Sequence, residues 1–351
     1  MVSAGTTLVP DGIEAVNAQW LTDALGSEVT DVRAEQIAMD SGFSSLLYRL
    51  HLTGEGVPAT VIAKLPAISD ARGAMDLMGG YRREVAFYQH IAGRAPMATP
   101  DAHVARIADN GVDFVLLLED LAGWDNADHL AGLSMERARI CLESLAGLHA
   151  WSCQPANRDV LEQFPSIDNP MIREAMVPAF GYGWQLYLEK NDGAVPPGLV
   201  EFFEHFSDRA PAALSALTQH DMLIHGDIRA DNLFFDGDAL KVVDFQFAAR
   251  GSGVADLAYL VTQGLPIETR TGQDETLLRE YLGHLAGRGV DYGFDAAWRD
   301  YRLAAVYLVL MPVVALLTWE VVPERSRRLC LTLTDRALAA IDEIQALEVF
   351  E

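Results

Sequence analysis

Positive charge is scarce in this sequence. Lysine and arginine together number 26 against 50 aspartates and glutamates among 351 residues, so the formal net charge is −24 at pH 7. Nucleic acids and anionic membrane surfaces repel such a surface unless a local basic patch intervenes, and the sequence shows no such patch. We therefore expect no nucleic-acid partner. The acidic balance is compatible with a cationic substrate, but a solvated surface that keeps a globular protein soluble is the preferred explanation.

Cysteine and long apolar runs are also scarce. The three cysteines, Cys141, Cys153 and Cys330, are too few and too far apart for a disulfide framework or a metal site, which favours a reducing compartment. The first residues lack a basic segment followed by an apolar core, so we expect no secretory signal and a cytoplasmic location. The one long apolar run, residues 303–319, contains Pro312 and is short for a membrane span, so it predicts a buried helix.

Patterning divides the chain into a β-rich first part and a helical second part. Residues 29–65 contain β-rich segments bounded by glycine and proline, residues 80–93 have helical spacing, and residues 113–121 form a further buried strand. We predict an α+β fold with a small N-terminal lobe, residues 1–120, and a larger helical C-terminal lobe, residues 121–351. The predicted helices of the second part cover residues 134–152, 170–190, 198–219, 273–287, 295–319 and 323–347.

The stretch LIHGDIRADNLFF, residues 223–235, carries the central chemical motif. His225, Asp227 and Asn232 stand in the order H-x-D-x-x-x-x-N, the spacing of a kinase catalytic loop. In such a loop the aspartate accepts the proton of the acceptor hydroxyl and the asparagine holds a magnesium ion. The motif therefore predicts phosphoryl transfer that depends on ATP and Mg²⁺.

A hairpin is predicted directly after this loop. Two β-rich runs flank the turn-forming residues Asp236, Gly237 and Asp238, and the second run leads to Asp244 in KVVDFQ. A hairpin would bring Asn232 and Asp244 side by side. Because Mg²⁺ prefers hard oxygen ligands such as these, we predict that Asn232 and Asp244 bind the metal.

Lysine is the rarest charged residue, with Lys64, Lys190 and Lys241 as its only occurrences. Lys64 lies inside the apolar strand ATVIAKLP, where a casual surface charge is not expected. A compact ammonium that contacts phosphates and pairs with a helix carboxylate suits this position. Glu84, in the helix YRREVAFYQHIA, is the predicted partner of Lys64. A solvated helix acid paired with neighbouring arginines would show the same pattern.

Two further segments are candidates for nucleotide contacts. DSGFSSLLY falls between the first two predicted strands, where Gly42, Ser44 and Ser45 offer backbone amides and hydroxyls to phosphate, although an ordinary hairpin turn would have the same composition. LLLEDL ends the last strand of the first part. Its backbone, at Glu119 and Leu121, is a candidate for binding the adenine edge.

Together these motifs resemble the aminoglycoside phosphotransferase and choline kinase superfamily, whose fold is bilobal and protein-kinase-like. HGDIRADN, VVDFQ and GSGVADLAYL carry the resemblance, which spans most of the chain. Gln246 in DFQ stands where protein kinases have glycine, and the run FQFAARGSGVADLAYL is similar to the ecdysteroid-kinase-like branch. HGDIRADN, with Arg229 and Asp231, is also similar to phosphotransferase domains associated with acyl-CoA dehydrogenases, so the subgroup stays open.

The resemblance implies further roles for the motif residues. Lys64 and Glu84 are expected to hold the phosphates, while His225 and Asp256 brace the catalytic loop. Asp256 also suits the start of a helix, where the helix dipole favours an acid, and the two roles are compatible. The single glycine of the predicted phosphate segment departs from the three-glycine pattern of protein kinases, which leaves the choice between ATP and GTP open.

The acceptor is expected to be a small hydroxyl compound bound in the helical lobe. Residues 177–189 are rich in aromatics and residues 298–319 are apolar, which suits a hydrophobic alcohol, a sterol or a hydroxyacyl compound, although plain helix packing explains the same residues. The alternatives are an aminoglycoside or macrolide antibiotic kinase and a non-catalytic, nucleotide-binding pseudokinase. The intact set of motifs argues against the pseudokinase. Oligomeric state is not predicted.

Overall fold

The computed structural model describes residues 8–38, 45–68 and 71–351, and their internal contacts divide the chain into two compact units. The short segment Val243–Phe247, which contains Asp244, belongs to the first unit, although the residues directly before and after it in the sequence belong to the second. The predicted lobe boundary between residues 120 and 121 stays a prediction. Unit 1 comprises Met1–Arg94, Thr99–Trp124 and Val243–Phe247, and unit 2 comprises Ala95–Ala98, Asp125–Val242 and Ala248–Glu351.

Unit 1 is built on a five-stranded antiparallel sheet in the order β1-β2-β3-β5-β4. The strands predicted within residues 29–65 and 113–121 are present, as is the helix predicted at 80–93. The edge strand β4 and the helix α2 were not predicted. The elements are β1 Val29–Ile37, β2 Ser45–Gly54, β3 Thr60–Pro66, β4 Ala102–Ile107, β5 Phe114–Glu119, α1 Ala18–Leu25, α2 Ala71–Leu77 and α3 Gly80–His90.

Strand alternation explains which way the side chains of β3 point. Val61, Ala63 and Leu65 are buried in one apolar cluster, together with Trp20 of α1. Successive side chains of a strand point to opposite faces of the sheet. Lys64 therefore projects from the other face of β3, away from this cluster.

Unit 2 is mostly helical, as predicted. The predicted helix 198–219 is interrupted at His205, and a π-helical turn, Met171–Met176, leads into the helix predicted at 170–190. Ser134 caps one helix by accepting the Arg137 amide hydrogen. The helices are α4 Met135–Ser152, α5 Arg158–Leu161, α6 Val177–Lys190, α7 Pro197–Glu204, α8 Phe206–Leu217, α9 Val254–Thr262, α10 Ile267–Arg270, α11 Asp274–Ala286, α12 Phe294–Tyr307, α13 Leu310–Ala315 and α14 Glu324–Glu343.

The hairpin predicted after the catalytic motif is present in unit 2. Asp236 pairs with Ala239 across a two-residue loop, and Gly237 in that loop has a φ of 56°, a conformation that favours glycine. A second, two-stranded sheet carries the chain into the catalytic motif. The short strands are β6 Asp125–Asn126, β7 Met222–Ile224, β8 Leu233–Asp236, β9 Ala239–Val242 and β10 Ala249–Gly251, paired in the orders β6-β8-β9 and β10-β7.

Residues 303–318 of the long apolar run lie within one helical stretch, Phe294–Thr318, in which the predicted helix 295–319 is divided into α12, α13 and a 3₁₀ turn. Among the described residues this stretch alone is long and apolar enough to cross a membrane. Two thirds of its most apolar window, 67%, is buried inside the structure. A core helix of a globular protein has the same length and composition, so this burial favours the predicted core helix.

Candidate active site

The structure places Glu84 beside Lys64 in unit 1. Lys64 Nζ lies 2.7 Å from Glu84 Oε1, and the two side chains are 8% and 1% exposed. β3 supplies the lysine from one face of the sheet, and α3 presents the glutamate. Glu84 is thus a buried partner of a buried lysine, and the alternative of a solvated helix acid is excluded.

Asp244 joins the same cluster in a strained backbone conformation. Its Oδ1 lies 3.3 Å from Lys64 Nζ, and its side chain is 30% exposed. The φ angle of Asp244 is 68°. Non-glycine residues in this region cost on the order of 1–3 kcal/mol, and such residues concentrate at functional sites. Such a conformation persists only where the surrounding structure holds it.

Lys64 therefore stands between two carboxylates. Burial alone would lower the pKa of Lys64, but the charges of Asp244 and Glu84 outweigh it and raise that pKa, so the ammonium keeps its charge. Burial, helped by the charge of Asp244, raises the pKa of Glu84 against the opposing effect of Lys64. One cation shared by two carboxylates leaves an excess of negative charge. A partly exposed carboxylate in this setting fits a hard divalent cation such as Mg²⁺.

Gln246 is a member of this cluster to which the sequence assigned no role. Its side-chain amide donates to Glu84 Oε2 at 3.1 Å and to the Ser45 hydroxyl at 3.0 Å, and all three side chains are buried. Ser45, a predicted phosphate contact, thus directs its hydroxyl to Gln246. The other two predicted phosphate residues, Gly42 and Ser44, lie outside the described residues.

The predicted adenine segment is partly engaged within unit 1. The Glu119 amide donates to the Asp101 carbonyl at 2.8 Å, and the Leu121 carbonyl accepts from the Trp124 amide at 2.9 Å. Asp120, between them, is 2.7 Å from the Arg49 guanidinium, which fixes the segment on β2. Adenine binding at Glu119 and Leu121 stays a prediction.

In unit 2, Asp256 holds the backbone of the catalytic motif. Its carboxylate accepts the amide hydrogen of His225 at 2.6 Å and that of Gly226 at 2.9 Å. His149 lies 3.2 Å from Asp256 through Nε2 and 2.8 Å from the Tyr281 hydroxyl through Nδ1, and these side chains are buried. Asp256 therefore binds the motif directly, as the resemblance implies, and it also lies in the first turn of α9.

The carboxylate of Asp227 is surrounded by donors. The Tyr259 hydroxyl donates to Oδ1 at 3.3 Å, and Asn232 Nδ2 lies 3.4 Å from Oδ2. Arg229 Nε lies 2.9 Å from Oδ1 without pointing its hydrogen at that oxygen, so this contact is ionic. The Asp227 amide donates to His225 Nδ1 at 3.1 Å. The motif thus fixes both the backbone and the carboxylate of Asp227.

Two of these contacts were not foreseen. Tyr259 lies three residues after Asp256 on α9, so the two side chains share one face of that helix. Burial, together with the charge of Asp227, raises the pKa of Tyr259 well above its usual range, so the hydroxyl remains a donor. The i, i+3 spacing of Asp256 and Tyr259 was the available signal. Nothing in the sequence pointed to the ionic contact of Arg229.

Asn232 is oriented by the backbone of the same loop. Its Nδ2 donates to the Asp227 carbonyl at 2.9 Å, and its own amide donates to the Arg229 carbonyl at 2.9 Å. The side-chain amide group of Asn232 is therefore fixed on the loop through its Nδ2 atom. An amide oxygen of this kind suits Mg²⁺, as a carboxylate does.

A neutral histidine supports the far end of the loop. Burial, with the nearby charges of Arg229 and Arg336, lowers the pKa of His129 to about 3. The neutral ring can then accept the Ala230 amide hydrogen at Nδ1, 2.8 Å away, and donate from Nε2 to the Gln263 carbonyl at 3.1 Å. A charged imidazole could not accept at Nδ1, so the lowered pKa and the geometry agree.

The aromatic run of α6 proves to be mostly core. Phe180 and Trp184 are fully buried and contact Phe203, while Tyr187 stacks on Trp184 at 5.2 Å. Of the four aromatics in this segment, Tyr182 alone is exposed, at 77%. Helix packing therefore explains these residues, and they give no support to an aromatic lining for the acceptor.

Comparison with known proteins agrees with the motifs. A model of the ecdysteroid kinase-like family matches residues 40–289, a range that contains every predicted site residue from Gly42 to Asp256. A curated protein described as the uncharacterized oxidoreductase dhs-27 of Caenorhabditis elegans is 22% identical over 329 residues, which cover 82% of this chain and 39% of that protein. The chain thus spans about two fifths of the length of this relative.

Solved structures with the same fold include several phosphotransferases. A putative aminoglycoside phosphotransferase from Ralstonia eutropha JMP134 has a TM-score of 0.56 at 14% identity, covering 93% of this chain and 97% of that one. The choline kinase of Cryptosporidium parvum Iowa II has a TM-score of 0.54 at 13% identity, covering 90% of each. Spectinomycin phosphotransferase APH(9)-Ia, in complex with ADP and spectinomycin, has a TM-score of 0.51 at 12% identity, covering 94% and 98%. These likenesses show an α+β, protein-kinase-like fold.

Proposed function

The chain belongs to the ecdysteroid kinase-like family of small-molecule phosphotransferases, and we propose that it transfers the γ-phosphate of ATP, bound with Mg²⁺, to a hydroxyl of a small molecule. The observation that carries the proposal is the environment of Asp227. Its carboxylate is 12% exposed and is fixed by Tyr259, Asn232 and Arg229 within the H-x-D-x-x-x-x-N motif. A carboxylate fixed in this way can orient a hydroxyl and accept its proton.

Each charged residue of the two clusters then has a task. Asp227 orients the acceptor hydroxyl and takes its proton as the oxygen attacks phosphorus. Lys64, held by Glu84, contacts the phosphates, and bound magnesium would neutralise charge that develops on them. Asp244 in unit 1 and Asn232 in unit 2 are each a predicted magnesium ligand. Arg229, which pairs with Asp227, supplies a further cation close to the point of transfer.

Charge pairing on the loop bears on the class of acceptor. Arg229 occupies one side of the Asp227 carboxylate, and Arg325 of α14 lies 3.0 Å from Asp231 and 2.8 Å from Asp128. A polycationic aminoglycoside would have to compete with these arginines for the loop carboxylates. This favours a neutral or anionic acceptor. Together with the family description, which names ecdysteroids, it supports a sterol, another hydrophobic alcohol or a hydroxyacyl compound.

A screen by mass spectrometry tests the proposal. The protein would be incubated with Mg²⁺ and either ATP or GTP over sterols, hydroxy acids and their CoA esters, choline, macrolides and aminoglycosides, and products would be sought at a gain of about 80 Da, one phosphoryl group. Asp227→Ala is the control. A product formed on a sterol or hydroxyacyl compound and lost in the variant is the expected result. Phosphorylation of an antibiotic alone would overturn the acceptor class, and nucleotide binding without any product would favour a pseudokinase.

Removal of the Lys64 ammonium is expected to weaken nucleotide binding. Lys64→Met keeps a side chain of similar length but removes its charge-assisted contacts. The Kd for Mg²⁺–ATP should therefore rise by roughly ten- to a hundredfold. Isothermal titration calorimetry measures this directly. Lys190→Met is the matched control, because Lys190 lies on α6 in the other unit and pairs with Glu189. An unchanged Kd in Lys64→Met would remove Lys64 from the phosphate site.

A further inference from the structure

The segment DFQ packs on β3 and α3 through three consecutive side chains. Asp244 contacts Lys64, and Gln246 donates to Glu84. Between them, the ring of Phe245 stacks on Phe87 of α3 with a centroid distance of 3.4 Å and an interplanar angle of 8°. All of these contacts lie within unit 1. The segment is thus linked to β3 through Asp244 and to α3 through Phe245 and Gln246.

Glu84 has a different donor on each of its carboxylate oxygens. Lys64 donates to Oε1 at 2.7 Å, and Gln246 donates to Oε2 at 3.1 Å. A carboxylate that is 1% exposed depends on such partners, because an unsatisfied buried oxygen carries a desolvation penalty. Gln246 therefore fixes the rotation of the carboxylate that presents Oε1 to Lys64.

The same amide reaches the start of β2. Gln246 donates to the hydroxyl of Ser45, which is 6% exposed and pairs with Pro66 of β3 in the sheet. Ser45 is the first residue of β2 and the last of the three predicted phosphate contacts. A glycine, which protein kinases carry at the position of Gln246, has no side chain to make either contact.

We propose that Gln246 is a positioning residue for nucleotide binding. It holds the Glu84 carboxylate in the orientation that pairs with Lys64, and it ties the segment carrying Asp244 to the first residue of β2. This inference rests on the proposed phosphotransferase function. It assigns to the glutamine of DFQ a task that a glycine could not perform.

Gln246→Met tests the inference by nucleotide affinity. Methionine has a similar length and volume but cannot donate, so Glu84 loses the partner of Oε2. We expect the Kd and the KM for Mg²⁺–ATP to rise roughly five- to tenfold, the effect of one hydrogen bond of ordinary strength. The kcat should change less than KM, because Asp227 is untouched. Gln89→Met is the matched control, since Gln89 lies exposed on α3, the helix that carries Glu84, and donates to the Ala105 carbonyl.

A double-mutant cycle separates positioning from general damage to the fold. If Gln246 acts through Glu84, Gln246→Met should have less than about a twofold effect on the Kd in a Glu84→Gln background. Additive effects would overturn the proposal, as would an unchanged Kd in the single variant. If Gln246→Met does not fold, Gln246→Asn keeps an amide but shortens the side chain, and the same outcomes apply. A wild-type protein that fails to bind Mg²⁺–ATP would instead refute the proposed function itself.

Discussion

Replacing Asp227 with asparagine is expected to lower kcat by about 10²- to 10⁴-fold, the contribution of a general base. Asparagine has nearly the same shape and can still accept from Tyr259, but it cannot take the proton of the acceptor hydroxyl. The Kd for Mg²⁺–ATP should change by less than about threefold, because a group that acts in the transition state adds little to ground-state binding. Steady-state kinetics on the acceptor found by the screen, with calorimetry for the nucleotide, measure both quantities.

The control for this experiment is Asp236→Asn. Asp236 lies exposed at the turn of the hairpin that follows the catalytic loop, so its substitution removes one carboxylate without touching the motif. It should leave kcat unchanged. If Asp227→Asn kept most of its activity, Asp227 would be an orienting group only. If it lost nucleotide binding as well, the substitution would have disturbed the loop and the role of base would remain undecided by kcat.

The parts of the site that could be predicted rest on local signals. Lys64 stood out because lysine is nearly absent and because it interrupts an apolar strand, and the pleat of that strand then separates it from Val61 and Ala63. The hairpin after Asn232 follows from a turn sequence between two β-rich runs. Such features depend on residues close together in the chain, so a single sequence contains enough information to find them.

The contacts that complete the site are of another kind. Gln246 bonds to Glu84 across 162 positions of sequence, and Tyr259 to Asp227 across 32. They depend on rotamers that tertiary packing selects. The i, i+3 spacing places Tyr259 on the same helix face as Asp256 but does not identify Asp227 as its partner, and Gln246 has no such spacing. The aromatic run of α6 shows the opposite difficulty, since core packing and ligand binding use the same residue types. Its burial could be decided only by the structure.

Replacing Asp256 with asparagine is expected to lower the stability of the folded protein. Asp256 is 2% exposed, and its two oxygens accept the amide hydrogens of His225 and Gly226 while one also contacts His149. Asparagine keeps one acceptor oxygen but turns an NH₂ group toward a backbone N–H. The free energy of unfolding should fall by about 3–5 kcal/mol, the cost of breaking a buried charged network by removing one partner. Urea denaturation measures the change.

Asp295→Asn distinguishes this network from a helix-dipole effect. Asp295 lies exposed in the first turn of α12, as Asp256 lies in the first turn of α9. A carboxylate at such a position contributes about 0.3–1 kcal/mol through the dipole alone. If the two substitutions lowered the free energy of unfolding by the same amount, Asp256 would act only through the helix dipole. Its contacts with the catalytic motif would then contribute nothing to stability.

The pH dependence of the Asp256 effect provides an independent test of its cause. Burial alone would raise the pKa of Asp256, but the hydrogen bonds that its carboxylate accepts from His149 and from the Gly226 amide outweigh burial and lower that pKa. A carboxyl with a lowered folded-state pKa stabilises the protein above its unfolded pKa of about 3.9, and this contribution is lost as the pH falls through the folded-state value. The stability difference between wild type and Asp256→Asn should therefore be largest above about pH 5 and shrink below about pH 4. A difference that stayed constant down to the acid transition would assign the effect to shape rather than to the charge of the carboxylate.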